Sequence, residues 1–388
     1  MTALALTVLV WITLCVTAFI SAMFLWNLTY FRRAPAVEAY DAKAADNDVQ
    51  VSVLIPARNE ALRIGRLLDS VLSNEGIACE VCVLDDESND GTRGIVRDYS
   101  KKHSNVRLIP GIPVPPGWSG KQFACWRLAQ QARYSELVFL DADVALSKDG
   151  LRRAILDRRS TNSDLLSGFP RQRVVTVGEQ LLIPLIHLIL LCFLPFRLMR
   201  TTRRVEAASG CGQFFLTTKE AYDISGGHSS IKQSLHDGIM LPRSYRIAGM
   251  RTDLFDASDI ATCRMYSSFA ETWSGLLKNA TEGFARMPLL PVLTLLMLLA
   301  FVLPWIFAIS FLMGGVNDSL LWPIVASCVL CSLPRLICCW KYDRAFLACL
   351  LNPISIVLFL SIQWTALLRK NRGQGVRWRQ RNYEVSSP

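Results

Sequence analysis

The chain has 388 residues, 51% of them hydrophobic and only 19% charged, with a net charge of +10. That length holds one large or two ordinary domains, and the balance is too apolar for an enzyme surrounded only by water. The arginines cluster beside apolar runs and do not interleave with aromatics on a polar domain, so the charge fits an anionic membrane surface and argues against a nucleic-acid partner.

Residues 1–31 carry no charge, and Leu4 to Tyr30 is almost wholly apolar, long enough to span a bilayer. A cleaved secretory signal would show a basic start and a shorter core. Here Arg32 and Arg33 follow the run, so it reads as a transmembrane signal anchor with its N-terminus outside and the next domain in the cytoplasm, at the inner membrane. Residues 32–50 are small, polar and charged and read as a linker. The twelve cysteines form no disulfide framework, and neither Cys79/Cys82 nor Cys328/Cys331 has the second half that a zinc site needs. Scattered thiols suit a reducing compartment.

A βα alternation follows. Strands are expected at Val51–Pro56, Cys79–Leu84, Val106–Ile109 and Leu137–Leu140, and helices at Ala61–Ser73, Gly91–Lys102 and Lys121–Arg133. Such alternation implies an α/β domain with a mostly parallel sheet, which binds ligands at the carboxyl ends of its strands. Three strand ends carry polar groups: Pro56, Arg58 and Glu60 after the first, Asp85 and Asp86 after the second, Asp141 and Asp143 after the fourth. Two carboxylates one residue apart at the end of a buried strand repel each other, and a divalent cation bridging them to a diphosphate removes that cost. A polar turn is the plainer reading of the same residues. For Asp90 and Thr92 helix capping is the expected role.

The runs VSVLIPARNEA, VLDDESNDGT and FLDADV, in that order, resemble the family 2 glycosyltransferases with a GT-A nucleotide-sugar-binding fold. The resemblance implies that Asp85 contacts the nucleotide, that Asp141 and Asp143 hold Mg²⁺ or Mn²⁺ on the donor diphosphate, and that Pro56, Arg58, Glu60 and Asp86 line the donor. Lys121 in GWSGK matches a family position near the donor; a solvated lysine at a helix start is the alternative. Gly210 and Gly212 resemble the glycine-rich segment behind the donor sugar. Asp237 in LHDG matches the general base, with His236 replacing the family's first acid; an N-cap for a helix Ile239–Ile247 is the alternative.

The expected GT-A domain spans 51–286, with interfacial helices near 181–196 and 268–286, the first of which also fits a buried core helix. His187 reads as a packed histidine. Residues 287–368 hold three apolar segments: Met287–Val316, Ser319–Pro334, and Ala345–Leu368 with a break at Asn352-Pro353. A basic tail, 369–388, follows. Three crossings would put that tail outside against the positive-inside rule, so one segment is expected not to cross. Gln374, Arg377 and Trp378 spell the QxxRW pattern of processive polysaccharide synthases, either a lid over the active site or part of an interfacial tail. The nearest resemblance along most of the chain, through PPGWSGK, FLDADV and the C-terminal helices, is to hopanoid-associated and carotenoid-type membrane glycosyltransferases. It implies an inverting transfer to a lipid acceptor in the bilayer, with a processive synthase as the rival.

Overall fold

The computed structural model describes residues 3–40 and 49–374, together with the backbone of 376–378 and 381–383. It divides into two compact units. One holds Phe31–Arg171 and Pro195–Arg264; the other holds Met1–Tyr30, Gln172–Leu194 and Met265–Pro388. The single stretch 51–286 expected from sequence is therefore interrupted: 172–194 and the residues after Arg264 group with the apolar helices.

The strands are β1 (Gln50–Ala57), β2 (Ala78–Asp85), β3 (Val106–Pro110), β4 (Glu136–Leu140), β5 (Val144–Leu146), β6 (Leu165–Phe169), β7 (Arg171–Gln172), β8 (Phe214–Thr218), β9 (Thr252–Asp256) and β10 (Ala261–Cys263). Seven of them form one sheet in the order β3-β2-β1-β4-β8-β6-β9. Only β8 runs antiparallel to its neighbours β4 and β6. Val53, Leu54, Ile55, Val81, Val83 and Leu137–Leu140 are all buried, the unbroken apolar pattern of strands covered on both faces. The helix Ile64–Leu72 buries Ile64, Leu67, Leu68 and Val71 at helical spacing. It begins three residues later than expected, because the N–H groups of Glu60 and Ala61 donate to Thr92 and Asp90. In register, Ala57 faces Asp85 and Leu54 faces Phe139, so β1, β2 and β4 end at one edge.

The expected linker is anchored at its start. Phe31 and Ala34 are buried. Arg32 reaches Asp157 at 2.6 Å and Arg33 reaches Asp256 at 3.3 Å. Its later part, 41–48, lies outside the described residues.

In the other unit, the helix Ala3–Tyr30 buries Val10, Thr13, Thr17, Ile20, Ser21, Phe24 and Asn27, one stripe at three- and four-residue spacing. Asn27 Nδ2 donates to the carbonyls of Leu191 and Leu194 at 2.8 Å each, and the Ser21 hydroxyl donates to Leu330 at 2.8 Å. The first helix is thus packed along its length by its polar stripe. By length and composition three helices can cross a membrane: Ala3–Tyr30, Leu289–Leu312 and Asp318–Asp343. Pro334 does not end the last of these, which continues through it. The expected third C-terminal segment is interrupted at Asn352-Pro353 as expected, giving a short helix, Phe346–Leu350, and a second, Asn352–Asn371, that Pro353 helps to start. The run 181–196 is also two helices, Val177–Leu182 and Leu185–Phe193, the first opened by a Thr176–Glu179 capping box. His187 is buried and stacks on Tyr342 with ring centroids 4.5 Å apart, packed as expected.

Candidate active site

The carboxyl edge of the sheet collects the charged residues that the sequence singles out. Asp141 leaves β4, its N–H donating to Gln213 O at 3.1 Å, and Val144 N–H turns back onto Asp141 O at 3.1 Å. The acid pair is thus the turn between β4 and β5. Because Leu140 pairs with Phe214, the loop before β8 brings Gly210 to Gln213 beside it.

Lys121 is the second residue of the helix Gly120–Gln130. Its Nζ lies 2.7 Å from Asp141 Oδ1, 2.8 Å from Asp141 Oδ2, 2.9 Å from Asp237 Oδ2 and 3.2 Å from Gly212 O. The helix start is tied to the segment that delivers Asp237: Ser119 N–H donates to Lys232 O at 2.7 Å, and the Ser119 hydroxyl and Gln122 amide donate to Ser234 O at 3.0 and 3.2 Å. Lys121 is therefore an ion-paired residue and not a solvated helix-start lysine. Asp237 opens the helix Asp237–Ile247, and its side chain caps only the adjacent Gly238 N–H, at 2.9 Å. A Cβ on Gly212 would collide with the Asp237 carboxylate, and one on Gly210 would meet the Phe215 ring at 2.8 Å. Glycine at 212 lets the loop approach the Asp237 carboxylate, and glycine at 210 lets it pack against Phe215 and Ser167.

The electrostatics are unbalanced. Burial, followed by the Asp141 and Glu60 carboxylates, pushes Asp143 up to about 7. Burial also raises Asp141, against the opposing pull of Lys121. Burial works to raise Asp237 too, but the Lys121 charge and hydrogen bond outweigh it, with His228 and His236 adding to the downward shift. Asp143 Oδ1 is buried without a hydrogen-bond partner. An orphaned carboxylate oxygen facing like charges is the environment a divalent cation relieves, so Asp141 and Asp143 fit the expected Mg²⁺ or Mn²⁺. Among the described residues no three His, Cys, Asp or Glu side chains form a metal-holding group.

The other expected donor residues occupy the adjoining strand ends. Asp85 is buried; it accepts from Ser88 N–H at 3.3 Å and stands 3.9 Å from Arg93. Arg58 donates to Asp86 O at 2.7 Å, and Glu60 meets Arg63 at 3.1 Å. Pro56 is the penultimate residue of β1 and half-buried. The two loops interlock: Asn59 N–H donates to Ser88 Oγ at 3.0 Å and Asn89 N–H to Asn59 Oδ1 at 2.9 Å. Asn59 and Glu87 both adopt φ of 55° there. Gln374 is exposed in the other unit, and the strand Val376–Trp378 pairs with Arg381–Tyr383. The side chains of Arg377 and Trp378, and hence the lid, lie outside the described residues.

His228 is not among the residues that the sequence singles out. It is buried, with Tyr222 Oη 2.9 Å from its Nδ1, and burial lowers it to about 3. The signal was the preceding Gly226-Gly227, whose φ values are 75° and 48° and where a Cβ on Gly227 would run into Tyr222.

Residues 52–223 match the family described as "Glycosyl transferase family 2". The chain is 28% identical over 249 residues to a 4,4'-diaponeurosporenoate glycosyltransferase of Staphylococcus haemolyticus, covering 63% of this chain and 65% of that one. It is 24% identical over 348 residues to the protein of that name in Staphylococcus aureus (strain MRSA252), covering 88% and 90%. Among solved structures, mannosyltransferase PcManGT from Pyrobaculum calidifontis, in complex with GDP-Man and Mn²⁺, superposes with a TM-score of 0.50 at 17% identity, over 92% of this chain and 99% of that one. Residues 52–223 thus match the family 2 glycosyltransferases, the mostly parallel sheet has the GT-A fold, and the chain is related in sequence to carotenoid-type glycosyltransferases.

Proposed function

We propose that the protein is a membrane-bound inverting glycosyltransferase that moves a sugar from a nucleotide-diphosphate-sugar to a hydroxyl of a lipid acceptor, such as a hopanoid or carotenoid. The observation that carries this reading is the meeting of Lys121, Asp141 and Asp237, from three separate chain segments, at the edge where such sheets bind ligands. Asp85, Asp86, Arg58, Glu60 and Pro56 hold the nucleotide end. Asp141 and Asp143 would hold Mg²⁺ or Mn²⁺, which supplies charge neutralisation for the diphosphate leaving group. Gly210 and Gly212 let the backbone approach the sugar. Asp237, kept ionised beside Lys121, takes the acceptor proton as the hydroxyl oxygen attacks the anomeric carbon. One displacement with one base and no enzyme nucleophile inverts that carbon.

Topology follows from the helices. One crossing before the sheet unit and two after it return the basic tail to the cytoplasm, where the positive-inside rule wants it. The domain of 51–286, with its two inserted apolar segments, then faces the cytoplasm.

The ion pair on Asp237 also favours a second acceptor chemistry. A carboxylate arrives already deprotonated and needs no base, and the relatives' printed name is that of a carboxylate, an "-oate". A processive polysaccharide synthase is the remaining rival and would make polymer from donor alone. The test is to incubate membranes holding the protein with a panel of nucleotide-sugars and with lipid alcohols and lipid acids, and to identify products by mass spectrometry. A monoglycosylated lipid supports the reading; polymer or free sugar as the sole product contradicts it.

A further inference from the structure

Lys121 does more than line a donor pocket. Its ammonium has three protons, and the structure gives it four oxygen neighbours: both oxygens of Asp141, one of Asp237, and the Gly212 carbonyl. A divalent cation on Asp141 needs those same carboxylate oxygens. Two cations cannot share them without mutual repulsion, which in a half-buried site is only weakly screened. Meanwhile Asp143 Oδ1, the other oxygen suited to a metal, has no partner. The acid pair is therefore split: one carboxylate is claimed by an internal cation and the other is left open.

We propose that Lys121 is a resident counter-cation of Asp141 that competes with the divalent metal and yields the carboxylate only when a nucleotide diphosphate offers the ammonium other anionic oxygens. This rests on the reading above of Asp141 and Asp143 as metal ligands and adds an order of loading to it. Metal alone is held weakly, and metal and diphosphate enter together. By linkage, each tightens the other by the same factor. The Lys121 stem is fit for such a move. It projects from the first turn of a helix on four flexible carbons, while the helix start is fixed through Ser119 and Gln122. When the ammonium leaves Asp141 it remains within reach of Asp237, so the base keeps its counter-charge through the exchange.

The experiment measures Mn²⁺ binding to the full-length protein in detergent by electron paramagnetic resonance, with and without uridine or guanosine diphosphate. Lys121→Gln keeps hydrogen-bonding capacity and lacks the charge; Lys121→Arg keeps the charge. The expected result is that Lys121→Gln binds Mn²⁺ alone about tenfold more tightly than wild type, within the usual range for coupling between sites, while Lys121→Arg stays weak. An unchanged or weaker Mn²⁺ affinity in a folded Lys121→Gln protein overturns the proposal. The wild type supplies a second readout that needs no variant: adding Mn²⁺ together with the diphosphate should change the acylation rate of Lys121, followed by mass spectrometry, whereas an unaltered rate overturns it. If wild type takes up no Mn²⁺ even with a diphosphate present, the metal-site reading fails and this inference falls with it. If uptake is normal and only the Lys121→Gln gain is missing, the inference alone fails.

Discussion

The two ends of one sheet treat buried charge in opposite ways. At the amino end, Glu136 receives Arg158 through both oxygens at 2.7 and 3.1 Å and Arg159 at 2.9 Å. Glu80 accepts from Ser52, from Arg133 N–H and from Arg107. Burial opposes its charge, but those hydrogen bonds hold its carboxyl below the usual range. At the carboxyl end, Asp141, Asp143, Glu60 and Asp237 face one another, Asp143 is pushed up to about 7 chiefly by burial, and one of its oxygens is orphaned. The closed end pairs its carboxylates with cations of the chain, and the open end is where the proposed cation and anionic substrate would complete what the chain leaves unpaired. A cluster of like charges that a fold retains at its own cost points to function more surely than a salt bridge does.

Four changes would break or sharpen that contrast, taken from the largest expected effect. Asp237→Asn should lower transfer to a hydroxyl acceptor by about 10²- to 10⁴-fold, the usual worth of a general base, with donor affinity nearly unchanged. Comparison of hydroxyl and carboxylate lipids as acceptors checks it, since only the hydroxyl should need the base. At the other end, Arg158→Ala removes two of the guanidinium hydrogen bonds to Glu136, whose side chain is 8% exposed, and leaves it Arg159. It should cost about 1.5–3 kcal/mol of stability, read by denaturant unfolding, with turnover per folded molecule preserved. Asp143→Ala should weaken metal-dependent donor binding by about 10- to 100-fold, as calorimetry with and without Mn²⁺ would register.

The smallest effect is a pair of opposed pH slopes, measured by thermal unfolding in chelator. The Glu80 folded pKa lies below its unfolded value, about 4.3. Its contribution is present above that pH and is lost as pH falls through the folded pKa. The Asp143 folded pKa lies above its unfolded value, so the native state keeps a proton that the unfolded state has lost. Stability then drops as pH rises from about 4 to 7. At pH 7.5, Glu80→Gln should lower Tm and Asp143→Asn should raise it, each by about 2–4 °C per kcal/mol. Equal signs would erase the contrast between the two ends.

The carboxyl end was legible because its residues are grouped in sequence. Runs such as Leu137–Leu140 ending in Asp141 declare both a strand and its exit, and Asp85-Asp86 does the same for β2. Asp237 needed the family resemblance, because nothing local separates it from a helix cap; only the fold brings it to Lys121. The amino end was invisible. Glu136 with Arg158, and Glu80 with Arg107, are ordinary surface-type residues until tertiary pairing buries them. The antiparallel β8 gave only an FFLTT run without direction. The break expected at Asn352-Pro353 is present, between Phe346–Leu350 and Asn352–Asn371, whereas the segment expected to stop at Pro334 continues as helix through it.

The most direct test of the account is calorimetric titration of nucleotide-sugars into the wild-type protein and into Asp143→Asn, each with Mn²⁺ and with chelator. The account predicts that one donor binds wild type tightly only when Mn²⁺ is present, and that Asp143→Asn binds it with the weak, metal-indifferent affinity of the chelated wild type. Equal donor affinity in all four titrations would contradict it.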